Sequence, residues 1–148
     1  MTEKIEELVR PVTGRHNTFI VEIEIKTVQG KRSIDIFIDN DDGVTTELCS
    51  EISREVSRVF DGVDLFQKGY ILVVSSPGID RPLKYFRQYK KNIGRKMSIG
   101  IKTNGGTEVL KCVLLSTGDD EITVRPESGA ERKILFTAIL KAHVEAVW

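Results

Sequence analysis

The chain has 148 residues, 40% of them apolar and 30% charged, a makeup that suits one ordinary globular core or two small ones and excludes a disordered or low-complexity protein. No run approaches the roughly 18 apolar residues of a membrane span, and the opening MTEKIEELVR sets acids among short apolar steps, so neither a spanning helix nor a signal peptide is expected, and the expected location is cytoplasmic. The formal charge of zero hides an asymmetry: residues 1–84 hold 11 Lys and Arg against 15 Asp and Glu, whereas residues 85–148 hold 11 against 7. The basic second half is therefore the part suited to nucleic acid.

Ile5, Leu8, Val9 and Val12 fall at i, i+3, i+4 and i+7, one face of a short helix that should end near Pro11 to Gly14. From Phe19 to Ile25 the apolar residues Phe19, Val21, Ile23 and Ile25 take the odd positions, the period of a half-buried strand. After a turn at Gln29-Gly30, Ile34, Ile36 and Ile38 alternate in the same way between Arg32 and Asp39, and the two runs should pair as an antiparallel hairpin. The loop Asn40-Asp41-Asp42-Gly43 leads to Thr45, the N-cap of a helix to about Phe60 whose apolar face is Leu48, Cys49, Ile52, Val56, Val59 and Phe60. Tyr70 to Val74 has the aromatic and β-branched content of a strand buried on both faces. Together these predict an α-β-β-α-β unit, two helices covering one face of a small, mostly antiparallel sheet.

Ser75 and Ser76 end that strand, Pro77-Gly78 fits a type II turn, and Pro82 holds Arg81 out of the α region, so the loop is expected to be rigid. Residues 85–94, YFRQYKKNIG, read as a short helical connector that Gly94 can end. Segments 95–102, 107–117, 121–125 and 131–136 then read as short strands separated by turn compositions, His143 to Val147 supplies a fifth, and TAILKA suits one helical turn between the last two. The expected class is α+β, with a two-layer domain over 1–84, a basic connector over 85–94, and a small SH3-like or Sm-like β-barrel over 95–148.

The acidic loop fails as a calcium site: counting from Asp39, the sixth and twelfth positions of an EF-hand loop hold Val44 and Ser50 rather than Gly and Glu. Ser75 and Ser76 have no GxSxG elbow, and His16 and His143 are the only histidines, one in a Gly/Asn-rich turn and one opening a strand. No phosphate-binding loop or zinc-protease motif occurs, so no enzyme, cofactor or metal is expected. Cys49 and Cys112 lack CxxC spacing and read as core thiols.

The basic stretch carries Arg81, Lys84, Arg87, Lys90, Lys91, Arg95 and Lys96 with Tyr85, Phe86 and Tyr89 interleaved and no acid. It reads either as an RNA contact, cations on phosphates and rings on unpaired bases, or as a solvated linker whose aromatics pack. Asp80 and Arg81 read either as a charge-assisted clamp on the loop or as presentation of Arg81 to a partner.

At VSSPGIDRPL, residues 74–83, the chain resembles the RimP ribosome maturation factors, and the resemblance extends through the N-terminal helix, the hairpin ending in FIDNDDG and the helix TTELCSEISREVSRVFD, with a looser match beyond. Val73 stands where that family pattern has Glu in many members, and Cys112 stands near an expected Gly. The resemblance implies a factor that binds free small ribosomal subunits, assists late rRNA folding and protein placement near the decoding region, and needs no cofactor. On that basis Ser75, Ser76, Pro77, Gly78, Asp80, Arg81 and Pro82 form the signature loop, Lys84, Arg87, Lys90, Lys91, Arg95 and Lys96 are the candidate rRNA contacts, and Asp41 and Asp42 are candidates to meet a basic ribosomal protein. A monomer is expected, because no heptad pattern or long apolar run demands a second copy. The competing reading is a peptide-binding adaptor that makes no RNA contact.

Overall fold

A computed structural model describes residues 1–66, 68–78 and 81–145. The chain divides into two compact units, Met1–Pro77 and Gly78–Trp148, and this boundary carries 9 Lys and Arg against 14 acids on one side and 13 against 8 on the other.

The first unit runs α1 (Thr2–Arg15), β1 (Phe19–Val28), β2 (Lys31–Asp39), α2 (Thr46–Asp61) and β3 (Tyr70–Ser75). Its sheet has the order β1-β2-β3, with β1 antiparallel and β3 parallel to β2, since α2 carries the chain back before β3 begins. Ile34, Ile36 and Ile38 are fully buried against Ile5, Val9 and Val12 of α1 and Ile52, Val56 and Phe60 of α2, so both helices cover one face. The Thr45 hydroxyl accepts from the Leu48 amide at 3.1 Å and starts α2 as expected.

Three features differ from the sequence expectation. Helix α1 continues through Pro11 to Arg15; the ring lies on the exposed side, and the missing N–H leaves only the Glu7 carbonyl without its helical donor. In β1 a bulge lies between Ile20 and Glu22, so Ile20, not Val21, joins Ile23 and Ile25 on the core side. Strand β3 is not buried on both faces: Tyr70, Leu72 and Val74 pack on the core, while Ile71 and Val73 are 44% and 47% exposed. It is an edge strand of its sheet, and Ile71 and Val73 lie on the side away from the helices, so its apolar composition exceeds what that position buries.

Tyr70 fastens that edge. Its hydroxyl donates to Asp61 Oδ1 at 2.8 Å and lies 2.7 Å from Ser57 Oγ, and its ring stands 5.5 Å from Phe60 and 5.1 Å from Phe66. A second tie joins the helices, where His16 Nε2, just past α1, lies 2.6 Å from Glu55 Oε2 of α2, with Arg15 3.9 Å from the same carboxylate.

The second unit contains β4 (Lys96–Thr103), β5 (Gly106–Thr117), β6 (Glu121–Pro126), β7 (Arg132–Leu135) and β8 (Ile139–Val144), all antiparallel in the order β7-β6-β5-β4-β8. Its core is Met97, Ile99, Leu114, Ile122, Val124 and Ala142 with Tyr89. The expected closed barrel is not formed by hydrogen bonding among the described residues: β7 and β8 are the two edges, joined by one 3-10 turn at Phe136–Ala138 where a helical turn was expected. Arg132 of β7 reaches past β6 to donate two bonds, 3.1 and 3.2 Å, to Glu108 of β5. The last strand begins earlier than predicted, at Ile139; the expected extension of the strand to Val147 runs beyond Glu145, where the described residues end.

The Glu55 carboxyl is held below its ordinary value of 4.5, chiefly by the His16 hydrogen bond and then by the charges of His16, Arg15 and Arg58. A folded pKa below the unfolded one means that this tie stabilises fully above the ordinary carboxylate range and is lost as pH falls through the lowered value. Glu55→Gln should therefore lower the thermal midpoint at neutral pH, and the gap to the unmodified chain should close on acidification. A gap independent of pH would show that Glu55 acts through packing alone.

Candidate nucleic-acid interface

The basic stretch belongs to the second unit and is folded onto it. Leu83 donates to the Ala142 carbonyl at 2.8 Å, Gly94 donates to the Leu114 carbonyl at 2.7 Å, and Leu114 returns a bond to Arg95 at 3.1 Å. Between these anchors the expected short helical connector takes the form of two consecutive 3-10 turns, Phe86–Gln88 and Lys90–Asn92. Gln88 and Asn92 are buried: the Gln88 side-chain oxygen accepts from the Lys84 and Tyr85 backbone amides, both at 2.8 Å, and the Asn92 side-chain Nδ2 donates to the Gln88 backbone carbonyl at 2.8 Å. These two residues organise the stretch, and nothing in their spacing singles them out in the sequence.

The aromatics divide unequally. Tyr89 is fully buried, edge-on to Phe136 at 5.9 Å, and burial pushes its phenol up to about 12. Phe86 is half-buried and packs 5.0 Å from Phe136. Tyr85 is 39% exposed, with Lys84 Nζ 5.5 Å from its ring centroid. So the expectation of three rings able to stack on bases reduces to one. The cations fare better: Lys84, Arg87, Lys90, Arg95 and Lys96 are exposed and Lys91 is half-buried.

The strand alternation brings further cations to Lys96. With Met97, Ile99 and Leu114 turned into the core, Lys96, Lys111, Arg125 and Lys141 take the outward side of β4, β5, β6 and β8. A chain-order reading misses this set because its members are neighbours across strands; the period-2 pattern of each strand was the available signal.

In the signature loop, Ser75 closes β3 and is half-buried, Ser76 is exposed, Pro77 is half-buried and Gly78 is exposed. Gly78 has φ +70, the value a type II turn requires after Pro77. A hydrogen bond from the Ser76 backbone reaches Cys49, whose thiol burial nevertheless pushes up. Arg81 is half-buried and Pro82 exposed, while Ile79 and Asp80, and with them the proposed clamp, lie outside the described residues. Cys112 is buried and pushed up to about 11 by desolvation, an inert thiol in the second core.

The acidic loop belongs to the first unit. Asn40 Oδ1 accepts from the amides of Asp42 at 3.2 Å and Gly43 at 2.6 Å, and the exposed Asp41 and Asp42 stand on that turn.

Residues 8–80 match the family model of the RimP N-terminal domain. The match spans β1, β2, α2, β3 and most of α1, and it ends inside the signature loop.

Burial separates the roles of the two tyrosines. Tyr89→Ala should destabilise the chain by about 3–5 kcal/mol, as truncating a buried ring does, whereas Tyr85→Ala should stay within about 0.5 kcal/mol. Urea unfolding measures both. A Tyr89→Ala chain of native stability would mean that its ring is not a core residue.

Proposed function

The chain belongs to the RimP family, and from that premise we propose that it is a ribosome maturation factor that binds free small ribosomal subunits and assists their late assembly, rRNA folding and protein placement near the decoding region. The family match over residues 8–80 carries this reading. The opposed charge of the two units supports it, because the basic unit suits rRNA phosphates and the acidic unit suits a basic ribosomal protein.

In this reading Lys84, Arg87, Lys90, Lys91, Arg95 and Lys96 neutralise rRNA phosphates, and the buried Gln88 and Asn92 hold the backbone that presents them. Contacts of this kind position the protein and carry no base specificity. Asp41 and Asp42 face the ribosomal protein, and the signature loop of Ser75, Ser76, Pro77, Gly78, Asp80, Arg81 and Pro82, which spans the boundary between the two units in sequence, is a further contact. We read the second unit as an SH3-like or Sm-like fold, since its strand order leaves the two edge strands joined by a 3-10 turn. The factor acts as a cytoplasmic monomer, without cofactor or covalent chemistry. Among the described residues no helix is long and apolar enough to cross a membrane. A peptide-binding adaptor is the second reading, and the exposed Val109, Leu135 and Leu140 of the second unit favour it.

Co-sedimentation with isolated small subunits, large subunits and joined ribosomes, at low and moderate salt, decides between them. Selective pelleting with free small subunits, weakening as salt rises, is the expected outcome. Absence from all three pellets at low salt would overturn the maturation reading and leave the adaptor.

A further inference from the structure

The outward face of the second unit's sheet holds a depression of about 260 Å³ lined by Lys96, Lys111, Arg125 and Glu145 among others. Cross-strand register explains why cations gather there. Lys96 of β4 stands opposite Val113 of β5, and Val113 opposite Arg125 of β6, so the two cations flank one apolar residue across strands about 4.8 Å apart. Lys111 lies two residues along β5 from Val113, opposite Ser98. One further step along β4, Gly100 pairs with Val109 on one side and Lys141 on the other. Gly100 contributes no side chain, and a Cβ built on it would come no closer than 3.7 Å to the Lys141 carbonyl, so the face is open between Lys111 and Lys141.

We propose that this face is a phosphate-binding surface for the RNA backbone, with Lys96, Lys111, Arg125 and Lys141 as its cations. It rests on the rRNA reading above and enlarges the contact beyond residues 81–96. Three carboxylates oppose it: Glu127 lines the same depression, Glu145 is 3.7 Å from Lys111 Nζ and Glu131 is 3.6 Å from Arg125. The Lys111 and Arg125 side chains are each 61% exposed, and ion pairs this exposed hold their partners weakly, so a polyanion that meets four cations at once displaces them. Val113 and the bare Gly100 keep the centre shallow, which lets a sugar-phosphate chain approach the sheet.

The test uses the full chain and a fluorescein-labelled single-stranded RNA of mixed sequence, with anisotropy titrations across a salt series. Each phosphate contact on a single strand contributes about 0.7 to the slope of log affinity against log salt. The combined variant Lys111→Ala/Arg125→Ala/Lys141→Ala should therefore lose about 2 from that slope, whereas Lys4→Ala/Lys31→Ala/Lys68→Ala in the first unit should leave it unchanged. Gly100→Lys, which places a new cation where a side chain has room, should steepen the slope and tighten binding, a gain that misfolding does not produce. If the unmodified chain binds and neither sheet variant changes the slope, this surface is overturned and the contact stays with residues 81–96. If the unmodified chain does not bind RNA at low salt, the rRNA reading and this surface fall together.

Discussion

Tyr89 leaves water for the second core, and the charged backbone on either side has to follow it. A phenol ring that packs against Phe86 and Phe136 recovers several kcal/mol on the scale of buried aromatic residues, far more than a solvated linker gains by staying extended. Drawing that segment inward exposes its amides to an apolar environment, where each unsatisfied donor costs about 1–3 kcal/mol. Gln88 meets two of them with one side-chain oxygen, and Asn92 closes the turn behind it. The cations between these anchors then have no choice of side: with Gln88, Tyr89 and Asn92 inside, Arg87 and Lys90 point out. A rigid basic surface thus follows from the burial of one tyrosine.

The two sheets differ in the residues they leave exposed. In the first unit the helices take the isoleucine side, which leaves Ile71 and Val73 exposed on the edge strand β3. In the second unit the apolar side chains of the sheet pack together on one side, and the other side carries lysine and arginine. Because exposed charges a few residues apart repel weakly in water and bind a polyanion together, that arrangement costs little stability and favours fast, salt-dependent association. An acidic first unit with its Asp41-Asp42 turn would meet a cationic partner by the same physics with the signs reversed.

Much of this was legible in the chain itself. The 3.6-residue period of Ile52, Val56 and Phe60, the alternation of Ile34, Ile36 and Ile38, the Thr45 cap and the positive φ of Gly78 after Pro77 are local facts, set by side-chain direction and allowed φ, and each appears where the sequence places it. The charge asymmetry is likewise a property of composition. What local pattern cannot show is neighbourhood. Whether Tyr70 to Val74 is a central or an edge strand depends on how many strands lie beyond it; the bulge at Val21 depends on pairing with β2; the fate of Tyr85, Phe86 and Tyr89 depends on a core built from residues as distant as Phe136. The sequence by itself determined which segments are helices and strands and which half is basic, because those follow from neighbours in the chain. Only the tertiary structure decided that two of three aromatics are core and that Lys96, Lys111, Arg125 and Lys141 share one face, because pairing across strands joins residues that sequence distance keeps apart.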